Sequence, residues 1–198
     1  GRRWLRLAVL VGVAALVFLI AMILLNLSRG RTPLGSEPSS SPSSSPAQVK
    51  AAPLTGLSAT DFDPQGSPPE ENADLAPTVV DGDPATSWHT ETYRQQLGPG
   101  GLKTGVGLVV DLGTSRRVAS VDVTFVGRPT GFSLYLTDEA PTGVADLTPE
   151  ADETADGTSA SVALPDDASG RYLIVWLTEL PPVQGGFRGE VAEVVVRG

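Results

Sequence analysis

Residues 80–88, VDGDPATSW, place three short oxygen-bearing side chains in one loop: Asp81, Asp83 and Thr86. The glycine and proline between them favour a sharp turn. Such a loop can bring carboxylates and backbone carbonyls together around a hard cation such as Ca²⁺. The alternative is an Asx-rich surface turn that binds no ion. We expect Trp88 to lie in the core beside this loop, because its ring is large and apolar.

The composition limits the remaining chemistry. The chain has 198 residues, which is room for one globular domain with additional segments. It has no cysteine, so disulfides and thiolate chemistry are excluded. It has one histidine, His89, which excludes a histidine cluster for zinc.

The net charge of −9 is unevenly distributed along the chain. Residues 51–198 carry 22 acidic and 8 basic side chains, a net charge of −14. Residues 1–50 carry 6 basic and 1 acidic side chain, a net charge of +5. Because an acidic domain repels phosphate backbones, the composition argues against nucleic acid as a partner. The first residue is glycine, so we expect a processed product or the tail of a longer protein.

Residues 5–27, LRLAVLVGVAALVFLIAMILLNL, are the most apolar part of the chain. As a helix, the uncharged stretch from residue 7 to residue 25 spans ~28 Å, close to the thickness of a hydrocarbon core. Three arginines precede the span and two follow it, so charge alone does not set its orientation. We predict a transmembrane helix within residues 1–27. A signal peptide is the alternative, but Asn26-Leu27-Ser28 is a poor cleavage site.

Residues 28–53 have the composition of a linker. Positions 36–46 contain seven Ser, three Pro and one Glu. This composition cannot bury apolar surface, so we expect a disordered tether. Ser/Pro-rich tethers are common between a membrane anchor and a module outside the membrane, and we therefore expect residues 54–198 to form an extracytoplasmic domain.

From residue 54 onward the sequence predicts strands and no helix. Glycine and proline recur throughout, and no long stretch has a 3.6-residue period. Six runs predict strands: residues 106–112, 118–126, 132–137, 159–164, 172–177 and 191–196. Residues 172–177, YLIVWL, are apolar on both faces and are expected at the centre of a sheet, whereas residues 159–164 are expected at an edge. This spacing predicts an all-β antiparallel sandwich or jelly roll.

Two further features lead to expectations about the domain. Residues 137–158 are acidic, and we expect a long solvated excursion that is the least ordered part of the domain. On the last strand, strict alternation places Glu193 on one face with Val191 and Val195. A half-buried carboxylate needs a partner, and the candidates are a calcium ion, Arg197 or a backbone amide.

The order of the motifs resembles a known family. VDGDPATSWHTE is followed by GLVVDLG, VASVDVTF, GFSLYLTD, RYLIVWLTEL and EVAEVVVRG. This series is similar to the discoidin or coagulation-factor type C domains over nearly all of residues 55–198. The resemblance implies a galactose-binding-like jelly-roll fold with ligands bound in loops at one mouth of the barrel.

The resemblance also implies one structural calcium ion at the opening turn, although several family members keep the turn without the ion. The matching ligands are the side chains of Asp81, Asp83, Thr86 and Glu193, with carbonyls of Val80 and Ala85. At the mouth, the polar and aromatic candidates for ligand binding are His89, Tyr93, Arg94, Arg128, Phe187 and Arg188. Arginine can hold a carboxylate or phosphate, and an aromatic ring can stack on a sugar. The alternative is that the rings pack the loops and the arginines pair with the abundant carboxylates.

The whole chain resembles, more narrowly, the C-terminal tail of a group of actinobacterial membrane proteins. These proteins carry a protein-kinase-like domain on the cytoplasmic side and are associated with the lipid II flippase family MurJ/MviN in peptidoglycan synthesis. The resemblance implies a single pass through the plasma membrane, with a basic cytoplasmic flank before the helix and residues 54–198 outside.

Three functions follow from these observations. The first is a non-catalytic module that recognises a cell-wall glycan or a peptidoglycan precursor. The second is a module that binds another envelope protein, because the fold alone does not decide function. The third is an enzyme, which needs a nucleophile with a base, or paired carboxylates in a cleft. The sequence has no Gly-x-Ser-x-Gly motif and no spacing that singles out a carboxylate pair, so we favour the first function and predict no catalysis.

Overall fold

The computed structural model describes residues 51–198. The predicted transmembrane helix within residues 1–27, and residues 28–50 of the predicted linker, lie outside these residues. Within residues 51–198 no helix is long and apolar enough to span a membrane. Ala52 and Pro53, at the end of the predicted linker, already pair with the C-terminal strand: Gly198 N donates to Ala52 O at 3.2 Å, and Pro53 forms a bridge with Arg197.

The described chain consists of β-strands and one short 3-10 helix, Ala76–Val80. The strands are β1 (Ser58–Phe62), β2 (Trp88–His89), β3 (Val106–Arg117), β4 (Ser120–Phe125), β5 (Thr130–Thr137), β6 (Ala151–Ala155), β7 (Ser159–Ala163), β8 (Ser169–Glu179), β9 (Pro182–Val183), β10 (Gly186–Phe187) and β11 (Glu190–Arg197). The six predicted strands correspond to β3, β4, β5, β7, β8 and β11. The remaining five are short, and their sequences lack a clear alternating pattern.

One sheet has the order β1-β3-β8-β5-β6, with every neighbouring pair antiparallel. β8 lies at its centre, as the apolar run at residues 172–177 predicted. Leu173, Val175 and Leu177 face the main core, while Ile174 and Trp176 belong to a second cluster. The central strand is therefore covered on both sides, which explains why its residues 172–177 are all apolar.

The other sheet has the order β2-β11-β4-β7. β7 is the edge strand, as predicted for residues 159–164. On β4 the predicted alternation is confirmed, because Val121, Val123 and Phe125 are buried while the residues between them are half-buried. This alternation gives the sheet one apolar face, which packs on the first sheet.

The main core lies between the two sheets. The rings of Phe125 and Phe132 meet with centroids 5.3 Å apart, one from each sheet. Trp88 is completely buried, as predicted. Each fully buried side chain of this size stabilises the fold by roughly 1.5–3 kcal/mol, so the core fixes both sheets and the loops that leave them.

The prediction of a solvated excursion over residues 137–158 is wrong over much of its length. Residues 151–155 form β6, which pairs with β5 from Thr130↔Ala155 to Leu134↔Ala151. Before β6, Val144 and Leu147 pack against the second cluster, which contains Tyr135, Ile174 and Trp176. The acidic segment therefore covers the outer face of the five-stranded sheet, because the apolar side chains of that face need a partner.

The predicted face of Glu193 also needs correction. The pairing of β11 with β4 shifts register between Val191 and Glu193, which marks a β-bulge. As a result Val191, Val194 and Val196 all face the core, and Glu193 shares the outer face with Val195 but not with Val191. The bulge moves the Glu193 carboxylate toward the loop that precedes β2.

Candidate functional site

The cation loop, residues 81–87, connects the 3-10 helix to β2. Two aspartates hold its shape as consecutive Asx turns. Asp81 Oδ1 accepts a hydrogen bond from Asp83 N at 2.7 Å, and Asp83 Oδ1 accepts one from Ala85 N at 3.0 Å. Gly82 has φ +81°, a conformation that glycine adopts without strain. The bend that was predicted from glycine and proline is present.

Thr86 and Trp88 close the loop. Thr86 Oγ1 lies 3.0 Å from Asp81 Oδ2 and 2.8 Å from the Asp83 carbonyl, so one hydroxyl links both aspartates. Trp88 Nε1 donates to the Glu71 carbonyl at 2.6 Å from within the core. Three of the four predicted cation-binding residues, Asp81, Asp83 and Thr86, therefore lie in one loop anchored by a buried ring.

Glu193, the fourth, lies beside this loop. The Gly82 amide lies close enough to its carboxylate to favour the charged form. Its Oε2 is buried and has no hydrogen-bond partner within residues 51–198. Burial raises the pKa of Glu193, and the negative charges of Asp81 and Asp83 raise it further, against the opposing effect of the Gly82 amide.

The expected partners of Glu193 were a calcium ion, Arg197 or a backbone amide. A backbone amide is present, but Arg197 is not a partner, because its Nε donates to Asp122 Oδ2 at 2.9 Å. An unpartnered carboxylate oxygen close to two other carboxylates is a setting in which a divalent cation relieves the repulsion. A pocket of about 280 Å³ adjoins it and is lined by residues 53–57, 80–82 and 193–196.

The donor set fits a hard cation in part. Carboxylate, hydroxyl and carbonyl oxygens are the ligands that Ca²⁺ takes. Within residues 51–198, however, no group of three or more His, Cys, Asp or Glu side chains is arranged to hold a metal ion. A cation at this loop therefore needs the Thr86 hydroxyl and backbone carbonyls, such as those predicted from Val80 and Ala85, in addition to carboxylates. The calcium site stays a prediction.

Three segments meet at one end of the sandwich, and we call residues 90–105, 126–130 and 180–190 the loop end. Antiparallel pairing brings them together: the start of β3 faces the end of β8, with Val106 opposite Leu177, and the start of β5 faces Glu179. Gln96 joins two of the segments, because its Nε2 donates to the Leu180 carbonyl and its Oε1 accepts from Leu180 N, both at 2.9 Å.

Tyr93 and Phe187, both predicted ligand-binding residues, are adjacent at the loop end. Their backbones exchange two hydrogen bonds of 2.8 Å each. Both side chains are half-buried and pack against the main core. The Tyr93 hydroxyl points inward, where it donates to Glu71 Oε1 and accepts from Lys103 Nζ at 2.9 Å. This geometry agrees with the alternative that Tyr93 holds the loops in place.

Arg188 lies one residue beyond Phe187 and is paired. Its Nη2 lies 3.0 Å from Glu190 Oε2, and its Nε is buried with no partner among the described residues. The other oxygen of Glu190 accepts from Ser87 Oγ at 2.7 Å. Glu190 therefore connects the cation loop to the loop end.

The other three predicted ligand-binding residues differ in their surroundings. His89 is half-buried on β2, with Nδ1 3.1 Å from the Thr90 carbonyl and 3.4 Å from Asn72 Nδ2. Arg94 and Arg128 are exposed at the loop end. Neither arginine has an ion-pair or hydrogen-bond partner within residues 51–198. The structure thus brings Tyr93, Arg94, Arg128, Phe187 and Arg188 to one end.

A buried network beneath Tyr93 was missed by the sequence reasoning. Lys103 is 9% exposed and forms ion pairs with Asp63 and with Glu71 Oε1, the latter at 3.1 Å. Burial lowers the pKa of Lys103, but the hydrogen bonds and charges of Asp63 and Glu71 outweigh it and raise the pKa. The one sequence signal is that Lys103 is the only lysine in residues 51–198 and follows a glycine-rich run. We call Asp63, Glu71, Tyr93 and Lys103 the buried network.

Comparison with known proteins identifies solved structures of similar fold. No protein-family model matches the chain. The family 32 carbohydrate-binding module of NanJ from Clostridium perfringens, solved in complex with galactose, has a TM-score of 0.53 at 17% sequence identity and covers 75% of this chain and 98% of that chain. The module CpGH89CBM32-5 from C. perfringens, in complex with GalNAc-β-1,3-galactose, has a TM-score of 0.52 at 14% identity, with 74% and 100% covered.

A third solved structure is chitosan-binding module 1 from a chitosanase/glucanase of Paenibacillus sp. IK-5. It has a TM-score of 0.52 at 17% identity and covers 73% of this chain and 96% of that chain. All three similarities span almost the whole of a compact module, and the matched architecture is the sandwich described above. Residues 51–198 therefore have the same jelly-roll β-sandwich fold as these modules, which is the fold that the order of the sequence motifs implied.

Proposed function

We propose that residues 54–198 form a non-catalytic module that binds a glycan at the loop end. The observation that supports this most directly is the gathering of arginines and an aromatic ring, Arg94, Arg128, Phe187 and Arg188, at one end of a sandwich. Similar sandwiches have been solved with galactose and with a galactose-containing disaccharide. Aromatic rings and guanidinium groups are the side chains that pack on sugar rings and bind their polar substituents.

The proposal extends to the rest of the chain. The helix predicted within residues 1–27 anchors the module in the plasma membrane, and the linker over residues 28–53 holds it outside. The supporting observations are the uncharged 19-residue stretch, the Ser/Pro-rich composition and the change of charge from +5 to −14 between the two parts. In this setting the glycan is a cell-wall polymer or a peptidoglycan precursor.

Calcium at the cation loop is a structural part of the same proposal. The ion lies among Asp81, Asp83, Thr86 and Glu193 and takes the Thr86 hydroxyl and backbone carbonyls as ligands in addition to carboxylates. It reduces the repulsion among the three carboxylates and fixes the loop. Because Ser87 contacts Glu190 and Glu190 contacts Arg188, fixing the cation loop also restricts the position of Arg188 at the loop end. What favours the proposal is the unpartnered Glu193 oxygen beside the two aspartates.

A binding screen tests the function. The full 198-residue chain in detergent micelles is titrated with lipid II, with soluble muropeptides and with purified wall polysaccharides, each with and without Ca²⁺. We expect saturable binding of at least one class, measured by isothermal titration calorimetry, and weaker binding after Ca²⁺ is removed. Failure of every glycan to bind in the presence of Ca²⁺ contradicts the proposal.

A protein partner is the second candidate, and one observation favours it. Among residues 51–198 the exposed large hydrophobic side chains are Leu102 at 82%, Val126 at 53% and Val183 at 36%. All three lie at the loop end, and apolar side chains gathered at one place are typical of protein-binding surfaces. The substitution Leu102→Ser separates the two functions, because it removes apolar surface without touching Arg94 or Arg128. Loss of binding to envelope proteins with glycan binding retained supports the protein-partner candidate, whereas unchanged retention of envelope proteins counts against it.

A further inference from the structure

We infer that Arg94 and Arg128 form an anion-binding subsite at the loop end, and that the module prefers saccharides that carry a carboxylate or a phosphate over neutral ones. The inference rests on the proposed glycan binding and names the chemical class of its ligand. The supporting observation is that these two arginines, unlike most basic side chains of residues 51–198, form no ion pair with a carboxylate of the described chain.

Most basic side chains of residues 51–198 are already neutralised. Five of the eight form ion pairs with carboxylates: Lys103, Arg117, Arg171, Arg188 and Arg197. The other three, Arg94, Arg116 and Arg128, have no carboxylate partner in this part of the chain. In a domain with 22 acidic side chains, an unpaired guanidinium leaves a rigid fork of donors free for a carboxylate or phosphate.

Two of these three arginines lie beside the same hairpin. The hairpin consists of β9 and β10, with Phe187 opposite Pro182. Arg94 lies on the β10 side, because Tyr93 pairs with Phe187. A Cβ atom built on Gly186 would lie 3.3 Å from Arg94 Cα, so the backbones are in close contact.

Arg128 lies near the start of β9. Gly127 packs so closely that a Cβ atom there would lie 2.5 Å from Pro181 Cγ. Pro181 directly precedes β9, and Arg128 directly follows Gly127. The exposed carboxylates of this end, Glu91 and Glu179, form no ion pair with either arginine.

The third unpaired arginine lies at the other end of the sandwich. β3 begins at the loop end, where Val106 faces Leu177, and Arg116 lies near its far end, opposite Gly170. Arg116 Nε is 3.4 Å from Thr114 Oγ1. Arg116 is therefore a matched control: it is exposed and unpaired like Arg94 and Arg128, but it is remote from the hairpin.

This arrangement distinguishes charged from neutral sugars. A sugar ring over the hairpin can contact the half-buried Phe187 ring, while an acidic substituent forms charge-assisted hydrogen bonds with a flanking guanidinium. A neutral sugar offers only hydroxyl groups to the same donors. Because the domain as a whole is acidic, long-range attraction does not favour anions, and the preference has to come from these local contacts.

Three matched monosaccharides test the inference: galactose, galacturonic acid and galactose 6-phosphate. Each is titrated by calorimetry into the full chain in neutral detergent micelles, and into the variants Arg94→Gln, Arg128→Gln and Arg116→Gln. We expect both acidic sugars to bind more tightly than galactose. Loss of one charge-assisted contact in Arg94→Gln or Arg128→Gln weakens acidic-sugar binding about tenfold. The Arg116→Gln variant is expected to bind all three sugars as the unaltered chain does.

The outcomes separate this inference from the proposed function. Equal affinity for galactose and the two acidic sugars overturns the anion subsite and leaves glycan binding intact. An effect of Arg116→Gln as large as that of the other two variants also overturns it, because the preference is then a property of net charge. If none of the three sugars binds, the subsite is contradicted, and the proposed function depends on the broader screen of wall glycans.

Discussion

Ser87 Oγ lies 2.7 Å from Glu190 Oε1, across 103 positions of the sequence. The contact joins the cation loop to the first residue of β11, and the other oxygen of Glu190 lies 3.0 Å from Arg188 Nη2. Two successive contacts, Ser87–Glu190 and Glu190–Arg188, therefore connect the cation loop to Arg188 at the loop end. For this reason we expect cation binding and ligand binding to be coupled, although their residues lie in different loops.

Glu193→Gln is predicted to stabilise the chain when no divalent cation is present. The folded-state pKa of Glu193 is raised by burial and by the charges of Asp81 and Asp83. A carboxyl group with a raised pKa contributes stability at pH values below its unfolded pKa, near 4.5, and this contribution is lost as the pH rises through the folded pKa. At pH 7 in EDTA, the variant should therefore melt at a higher temperature than the unaltered chain.

The difference should disappear as the pH falls below 4.5, because Glu193 is then protonated in both states. Thermal unfolding followed by tryptophan fluorescence measures both effects. A variant that is less stable than the unaltered chain at pH 7 in EDTA would show that ionised Glu193 has a favourable partner other than a cation.

Asp81→Ala is predicted to abolish the response of the melting temperature to Ca²⁺. The carboxylate of Asp81 is shared between the Asp83 amide and the Thr86 hydroxyl, so its loss also loosens the loop. In the unaltered chain, Ca²⁺ at 100 times its dissociation constant should add about 2.7 kcal/mol to the free energy of unfolding. Asp156→Asn, an exposed carboxylate elsewhere, is the control and should keep the full response. No effect of Ca²⁺ on the unaltered chain counts against the metal site.

Lys103→Met is predicted to destabilise the domain by about 3–5 kcal/mol, because it leaves two buried carboxylates, Asp63 and Glu71, without their cation. Denaturant unfolding measures the loss. The triple change of Lys103→Met with Asp63→Asn and Glu71→Gln should recover part of it, since the buried charges are then removed together. If the single variant is as stable as the unaltered chain, the ion pairs of Lys103 do not stabilise the domain.

Gly186→Ala is predicted to lower the affinity for glycan while the domain remains folded. A Cβ atom at this position would lie 2.0 Å from the Tyr93 carbonyl oxygen, so the two hydrogen bonds between Tyr93 and Phe187 would be forced apart. The hairpin beside Arg94 and Arg128 would then shift. Gly143→Ala is the control, because a Cβ atom there meets nothing within 4 Å. Equal ligand affinity for the two variants would remove the hairpin from the site.

The strands that could be predicted from the sequence are those whose neighbours impose a regular pattern. β4 alternates because one face meets the core, and residues 172–177 of β8 are all apolar because both faces are covered. The face of Glu193 could not be predicted, since the bulge between Val191 and Glu193 depends on pairing with β4 and leaves no mark on the sequence of β11.

The candidate site was predictable in part for a related reason. Asp81, Asp83 and Thr86 are close in sequence, so their loop is a local property. The buried network is not local, because Lys103 is 40 positions from Asp63 and 32 from Glu71. The proximity of Arg94 and Arg128 to one hairpin likewise depends on the antiparallel pairing of distant strands.

Hydrogen–deuterium exchange tests the central claim, glycan binding at the loop end, most directly. The full chain in detergent micelles is compared with and without saturating soluble muropeptides in the presence of Ca²⁺. The account predicts that amide exchange slows in residues 90–105, 126–130 and 180–190 and is unchanged at the opposite end, around Arg116 and Gly170. Protection confined to the opposite end, or no protection anywhere in residues 51–198, would contradict it.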